Sequence, residues 1–171
     1  MLKHQDLLKE FHTLALSADG PEALMDKVAH RLHQETTRYS WVGFFLLSPA
    51  NPKMLVLGPY AGSLSPQFSI SVDEGLCGAA VSGGRTIVVH DVASDSRYFA
   101  VMDLTKSEIV VPIFVHKKVI GVIDVNSYFL KTFTEPECAF VEACATLIGG
   151  YFENKGYTNR DVAGHQHSVR R

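Results

Sequence analysis

Apolar residues recur at helical spacing from the start of the chain. Leu7, Leu8, Phe11, Leu14 and Ala15 mark one face of a helix over residues 2–17. Ser17, Ala18, Asp19 and Gly20 break it. Pro21 suits the first turn of a second helix, and Glu22 meets the positive end of its dipole. Leu24, Met25, Val28 and Leu32 form its buried stripe, which runs to about Arg38. The period then shortens. Residues 40–47, 54–60 and 68–72 are rich in aromatic and β-branched residues or alternate Ser with apolar ones, so they predict strands. Asp73-Glu74 leads into a short helix at Gly75 that stops at Gly83-Gly84. Residues 86–90 predict a short strand, and 91–104 an irregular loop with a helical turn. Residues 108–115 and 119–125 flank His116-Lys117-Lys118 as a hairpin whose near-continuous apolar runs predict cover on both faces. Thr134-Glu135-Pro136-Glu137 supplies an N-cap, an early proline and two early acids for a last helix that Gly156 ends. The order α-α-β-β-β-α-β-β-β-α, with its hairpins, predicts an α+β fold on an antiparallel sheet.

Composition narrows the functions. The 171 residues fit one domain: 1–155, including an N-terminal helical extension over 1–19, followed by a flexible tail over 156–171. An apolar fraction of 46% and a net charge of -2 argue against disorder and against binding nucleic acid by phosphate neutralisation. The longest apolar run, 41–47, is too short to span a bilayer, and Lys3, His4, Asp6, Lys9 and Glu10 do not read as a signal peptide. Three cysteines without a CxxC pair support neither a disulfide framework nor zinc, so a reducing cytoplasmic setting is expected. His30 and His33 are three apart on the second helix but have no third ligand in view, so no metal is expected.

The hairpin carries polar groups where an inert core strand would not. A three-residue turn centred on Lys117 sets Glu108 opposite Asn126 and Val110 opposite Asp124, all pointing to one side. A two-residue turn would shift the register and scatter the group. Two readings fit: a pocket whose carboxylates recognise an ammonium group, or strand ends that meet solvent or cap a loop. Trp41, Gly43 and Phe45 likewise share a face, as core or as pocket lining. Cys77 starts a short helix, where the dipole would lower a thiol's pKa; it reads as a reactive thiol or as a small packing residue. Cys138 and Cys144 lie about 240° apart around the last helix, cannot pair there, and read as packing residues.

The run from Asp91 to Phe99, with Ser107-Glu-Ile-Val-Val-Pro112 and Gly121-Val-Ile-Asp-Val-Asn-Ser127, resembles a GAF domain over roughly residues 20–153. The resemblance implies a six-stranded antiparallel sheet with the terminal helices on one face and a small-molecule pocket on the other. It also implies pairing of two copies through the terminal helices. Within that family, Ser40-Trp-Val-Gly-Phe-Phe-Leu-Leu47, Leu55-Val-Leu-Gly-Pro-Tyr60 and Gly75-Leu-Cys-Gly78 are most similar to the free methionine-(R)-sulfoxide reductases. That likeness implies a ligand pocket of Trp41, Phe45, Met102, Asp103, Glu108, Asp124 and Asn126, with Glu108 and Asp124 on an amino group. Of the family's three cysteines only Cys77 is matched; Met102 and Gln67 stand at the other two positions. The expectation is therefore a stand-alone, non-catalytic GAF domain that binds an amino-acid-like amine in a sensory role, with no cofactor, as a homodimer serving a separate signalling partner. The alternatives are a reductase using Cys77 with an external resolving thiol, and a non-catalytic dimerisation scaffold.

Overall fold

The computed structural model describes residues 3–63, 67–98 and 104–162. Period-two alternation on three long strands, β1 (Trp41–Leu47), β5 (Ser107–Val115) and β6 (Lys118–Ser127), sets the architecture. One set of alternate residues, Val42, Phe44, Leu46, Ile109, Val111, Ile113, Ile123 and Val125, faces a core shared with three helices. These are α1 (His4–Ser17), α2 (Pro21–Glu35) and α4 (Glu135–Lys155). The opposite set, with Trp41, Phe45, Val110 and Val122, packs with Cys77 and Leu76 of the short helix α3 (Gly75–Gly83). With β2 (Met54–Gly62), β3 (Ser69–Ser71) and β4 (Ile87–Val89), the strands form one six-stranded antiparallel sheet ordered β3-β2-β1-β6-β5-β4. The fold class is α+β, as the element order predicts.

α2 stops at Glu35, short of Arg38, because Thr36 turns to extended backbone while its N–H still closes on the Leu32 carbonyl. Residues 157–162 depart from the frayed tail expected there. They form a 3-10 turn, Asn159–Asp161, whose Asn159 side chain donates to the Leu47 carbonyl at 2.8 Å, and Val162 is buried in the helix-side core.

The hairpin turn has two residues. Val115 pairs with Lys118, and His116 and Lys117 take left-handed φ of 48° and 64°, the signature of a type I′ turn. The register nevertheless returns to the one a three-residue turn would give. Phe114 pairs with Val119 but Ile113 with Gly121, so Ile120 is an extra residue in a β-bulge. The bulge restores Glu108 opposite Asn126 and Val110 opposite Asp124.

Positive φ is unfavourable for Lys117 and less well suited to His116 than to Asn, while Gly takes it freely. The double substitution His116→Asn, Lys117→Gly is expected to stabilise the fold by about 1 kcal/mol, or ~2–4 °C in Tm at this size. A thermal melt checks it, and an unchanged or lower Tm would contradict the turn as described.

Candidate functional site

α3 is seated by its glycines. A Cβ at Gly78 would lie 2.7 Å from the Val72 carbonyl oxygen, so only glycine lets the helix settle against the turn that precedes it. Gly84 closes the helix at φ 59°, a left-handed cap. The seating directs Cys77, 4% exposed, onto the middle of β5 and β6.

There it meets the hairpin carboxyls. Cys77 Sγ donates to Asp124 Oδ2 at 3.5 Å, and Asn126 Nδ2 donates to Asp124 Oδ1 at 3.0 Å. Thr105 Oγ1 donates to Asn126 Oδ1 at 3.2 Å and so fixes which way that amide faces. Glu108 shares a side-chain hydrogen bond with Asp124. Cys77, Glu108 and Asp124 each offer a ligand atom, and the three atoms lie within 4.8 Å of one another, all buried. They are one ligand short of a closed tetrahedral zinc set.

Two carboxyls cannot both ionise cheaply in such a place. Burial first, then the neighbouring Asp124 charge, pushes Glu108 well above the ordinary carboxyl range. Burial also raises Asp124, to about 6, against hydrogen bonds from Glu108, Cys77 and Asn126 that favour its charged form. Near neutrality Glu108 therefore holds the proton and donates, while Asp124 is the anion that accepts. The expectation that the helix dipole would lower the Cys77 pKa is corrected. Burial dominates, the two carboxyls add to it, and the thiol is held well above its usual value.

Beside this group lies Trp41. A Cβ at Gly43 would sit 2.1 Å from the indole Cη2, so the glycine lets the ring lie flat along its own strand. Gly43 pairs with Asp124 on one side and Tyr60 on the other. Tyr60 stacks on the indole at 5.8 Å between ring centroids, and Phe45 closes on it at 6.1 Å. Trp41 Nε1 is buried and has no hydrogen-bond partner among the described residues.

The structure thus brings Trp41, Phe45, Cys77, Glu108, Asp124 and Asn126 to one face of the sheet. Met102 and Asp103 lie outside the described residues. Sequence reasoning missed three contributors: Thr105, Tyr60 and the contact between Cys77 and Asp124. Alternation on β2 could have found Tyr60. The other two depend on long-range approach, 21 and 47 residues apart in sequence, that no local pattern carries. Cys144 is buried in the helix-side core, across the sheet from Cys77.

Residues 20–151 match the family described as GAF domain. The chain belongs to the GAF domain family. This GAF domain is 31% identical over 134 residues to the free methionine-R-sulfoxide reductase of Escherichia coli, covering 78% of this chain and 79% of that one. It is 36% identical over 110 residues to the Saccharomyces cerevisiae enzyme of the same name, covering 64% and 61%. Among solved structures it superposes on the free methionine-R-sulfoxide reductase of Neisseria meningitidis in complex with its substrate. That match has a TM-score of 0.83 and 29% identity, and covers 90% of this chain and 91% of the other. These relatives correct the expectation of a non-catalytic sensory domain, because they are enzymes and the likeness spans the whole fold. No helix among the described residues is long and apolar enough to cross a membrane.

Proposed function

We propose that this GAF domain reduces free methionine-R-sulfoxide, with Cys77 as the attacking thiol and an external thiol completing the cycle. The observation that carries the reading is the buried contact of Cys77 with a carboxyl pair holding one proton. Sulfoxide reduction by a thiol needs a base for the thiol proton and an acid for the sulfoxide oxygen, and this pair supplies both. As Sγ attacks the sulfoxide sulfur, its proton passes to Asp124 and the Glu108 proton passes to the sulfoxide oxygen. The pair keeps a single negative charge throughout, which a site this dry requires. The S–O bond then breaks as oxygen moves to Cys77, leaving methionine and a sulfenic acid, so the substrate sulfur is reduced and the cysteine oxidised. One external thiol condenses with the sulfenic acid, releasing water and forming a mixed disulfide. A second thiol reduces that disulfide and returns Cys77.

This chemistry revises the role that the resemblance implies for the carboxyls. A nucleophile 3.5 Å from Asp124 puts the sulfoxide group, rather than the amino group, against Glu108 and Asp124. The reading takes residues 1–155 as the working domain, in a reducing compartment, pairing with a second copy through the terminal helices; light scattering on the full chain checks the pairing.

NADPH oxidation coupled to thioredoxin reductase, thioredoxin and free methionine-R-sulfoxide tests the activity. Cys77→Ser is expected to lower turnover by at least ~10³-fold, to background, because a hydroxyl at that position cannot form the sulfenic acid. Equal turnover by the serine variant, or none by the wild type with several thiol reductants, would overturn the proposal.

A further inference from the structure

A concavity of about 610 Å³ opens where α2 hands the chain to β1, a volume ordinary for small-molecule sites. Its walls come from three stretches of chain: the turn after α2, Gly62-Ser63 at the end of β2, and Tyr128-Phe129 just past β6. None of the residues that line it is a carboxylate, and Arg38 stands among them. The Arg38 guanidinium lies 4.9 Å above the centre of the Phe129 ring. Its Nε donates to Thr132 Oγ1 at 3.4 Å and its Nη2 to the Leu130 carbonyl at 3.5 Å, two long bonds to neutral acceptors. Arg31 and Arg97 spend the same fork on carboxylates, whereas Arg38 forms no ion pair among the described residues. The ring and the two oxygens therefore orient its charge without neutralising it. His33, Thr37 and Ser63 bring an imidazole and two hydroxyls to the same walls, with no side-chain hydrogen bond among the described residues. At the rim, Tyr128 and Phe129 stay 39% and 53% exposed.

We infer that this concavity is a second binding site, separate from the Cys77 group, for a small organic oxyanion: a phosphate or carboxylate borne on a flat aromatic body. A guanidinium presents paired N–H groups that match two oxygens of either anion, and here most of that fork is unspent. The imidazole and hydroxyls of His33, Thr37 and Ser63 can donate to the remaining oxygens. The aromatic body covers the two exposed rings, which removes apolar surface from water and adds ring-to-ring contact. A cation meets the unpaired Arg38 charge and is repelled, and a bare inorganic anion leaves the rings uncovered. Cys77, Glu108 and Asp124 do not line this concavity. The inference does not rest on the reductase reading.

Amide chemical-shift titrations of the full-length, nitrogen-15-labelled protein test the site and locate it at once. The probes are phenyl phosphate, benzoate, inorganic phosphate and benzylamine. Phenyl phosphate is expected to saturate with a Kd of about 1–5 mM or tighter, shifting the amides of Arg38, Ser63 and Phe129. Arg38→Gln is expected to weaken it about tenfold or more, the scale of a lost charge-assisted fork. Arg38 is exposed, and circular dichroism checks that the variant folds. Lys53→Gln removes the same charge from an exposed position at the opposite end of the β1–β2 pair and should leave the affinity unchanged. Benzoate binding as tightly as phenyl phosphate assigns oxyanions in general, and benzoate at least about tenfold weaker assigns phosphate monoesters. Equal affinity of Arg38→Gln and wild type overturns the inference. So does benzylamine or inorganic phosphate binding as tightly as phenyl phosphate, shifts centred on Cys77 and Asp124 instead, or no saturable shift up to about 20 mM. The titration reads binding without turnover, so this assignment and the reductase reading stand or fall separately.

Discussion

Glu108→Gln is expected to lower kcat/KM for methionine-R-sulfoxide by about two to four orders of magnitude while making the protein more heat-stable at alkaline pH. The first effect follows from the loss of the carboxyl proton that the described site offers to the sulfoxide oxygen, at the usual scale of general acid catalysis. Glutamine keeps the shape of the neutral acid and can still donate to Asp124, so the geometry survives and the proton does not. The second effect follows from linkage. Both carboxyls have folded-state pKa values above their ordinary ones, Asp124 at about 6 and Glu108 higher, so the folded state binds protons more tightly than the unfolded chain. Their contribution to stability is complete below the ordinary carboxyl range and is lost as pH rises through the folded values. Glutamine cannot ionise, so the variant escapes the larger part of that loss. Its Tm should match the wild type near pH 4.5 and exceed it by several degrees at pH 8.

The pH profile supplies a third readout of the same substitution. In the wild type, kcat/KM should rise as Asp124 ionises near pH 6 and fall at higher pH as Glu108 gives up its proton. The residual activity of the glutamine variant should lack the alkaline fall. Full activity in the variant, or a Tm below the wild type's at pH 8, would mean that the two carboxyls do not share a buried proton.

How far these residues are legible in the sequence depends on the range of the interaction involved. Helix and strand periods place the helices and strands because each repeats within a few residues, though not the 3-10 turn Asn159–Asp161. Period two sets Asp124 and Asn126 on one face, and the cross-strand register adds Glu108. That grouping nonetheless rests on a turn of the wrong length. The real turn has two residues, and only the bulge at Ile120 restores the register. A bulge is set by pairing across strands, where a Cβ on Gly121 would meet the Phe45 carbonyl oxygen at 2.3 Å, and no pattern along β6 announces it. The Cys77 pKa is hidden for a similar reason. Position on the helix argues for a lowered value, while the carboxyls that raise it come from strands more than 30 residues away in sequence. Function is obscured differently. Along the chain, two missing cysteines read as missing chemistry; only the fold sets Cys77 against both an acid and a base.

Gly149→Val is expected to cost about 3–5 kcal/mol, a fall of ~10 °C or more in Tm, whereas Gly150→Ala next to it should raise Tm by a few degrees. A Cβ at Gly149 would lie 2.2 Å from the carbonyl oxygen of Phe114 and 3.7 Å from Ile113 Cγ2. The obstacle is strand backbone, which cannot swing aside as a side chain would. α4 would have to lift from β5, opening the packing around Val141, Cys144, Ala145, Ile148 and Phe152, and a helix shifted off a dense core loses contacts along its whole length. Gly150 has nothing within 4 Å of an added Cβ, so alanine there gains helix propensity, about 1 kcal/mol, without a clash. Opposite signs at adjacent positions separate packing from propensity. A small effect at Gly149 in thermal and denaturant melts would mean that α4 is not held against β5 at this point, and that the helix-side core is looser than the close approach of glycine to Phe114 requires.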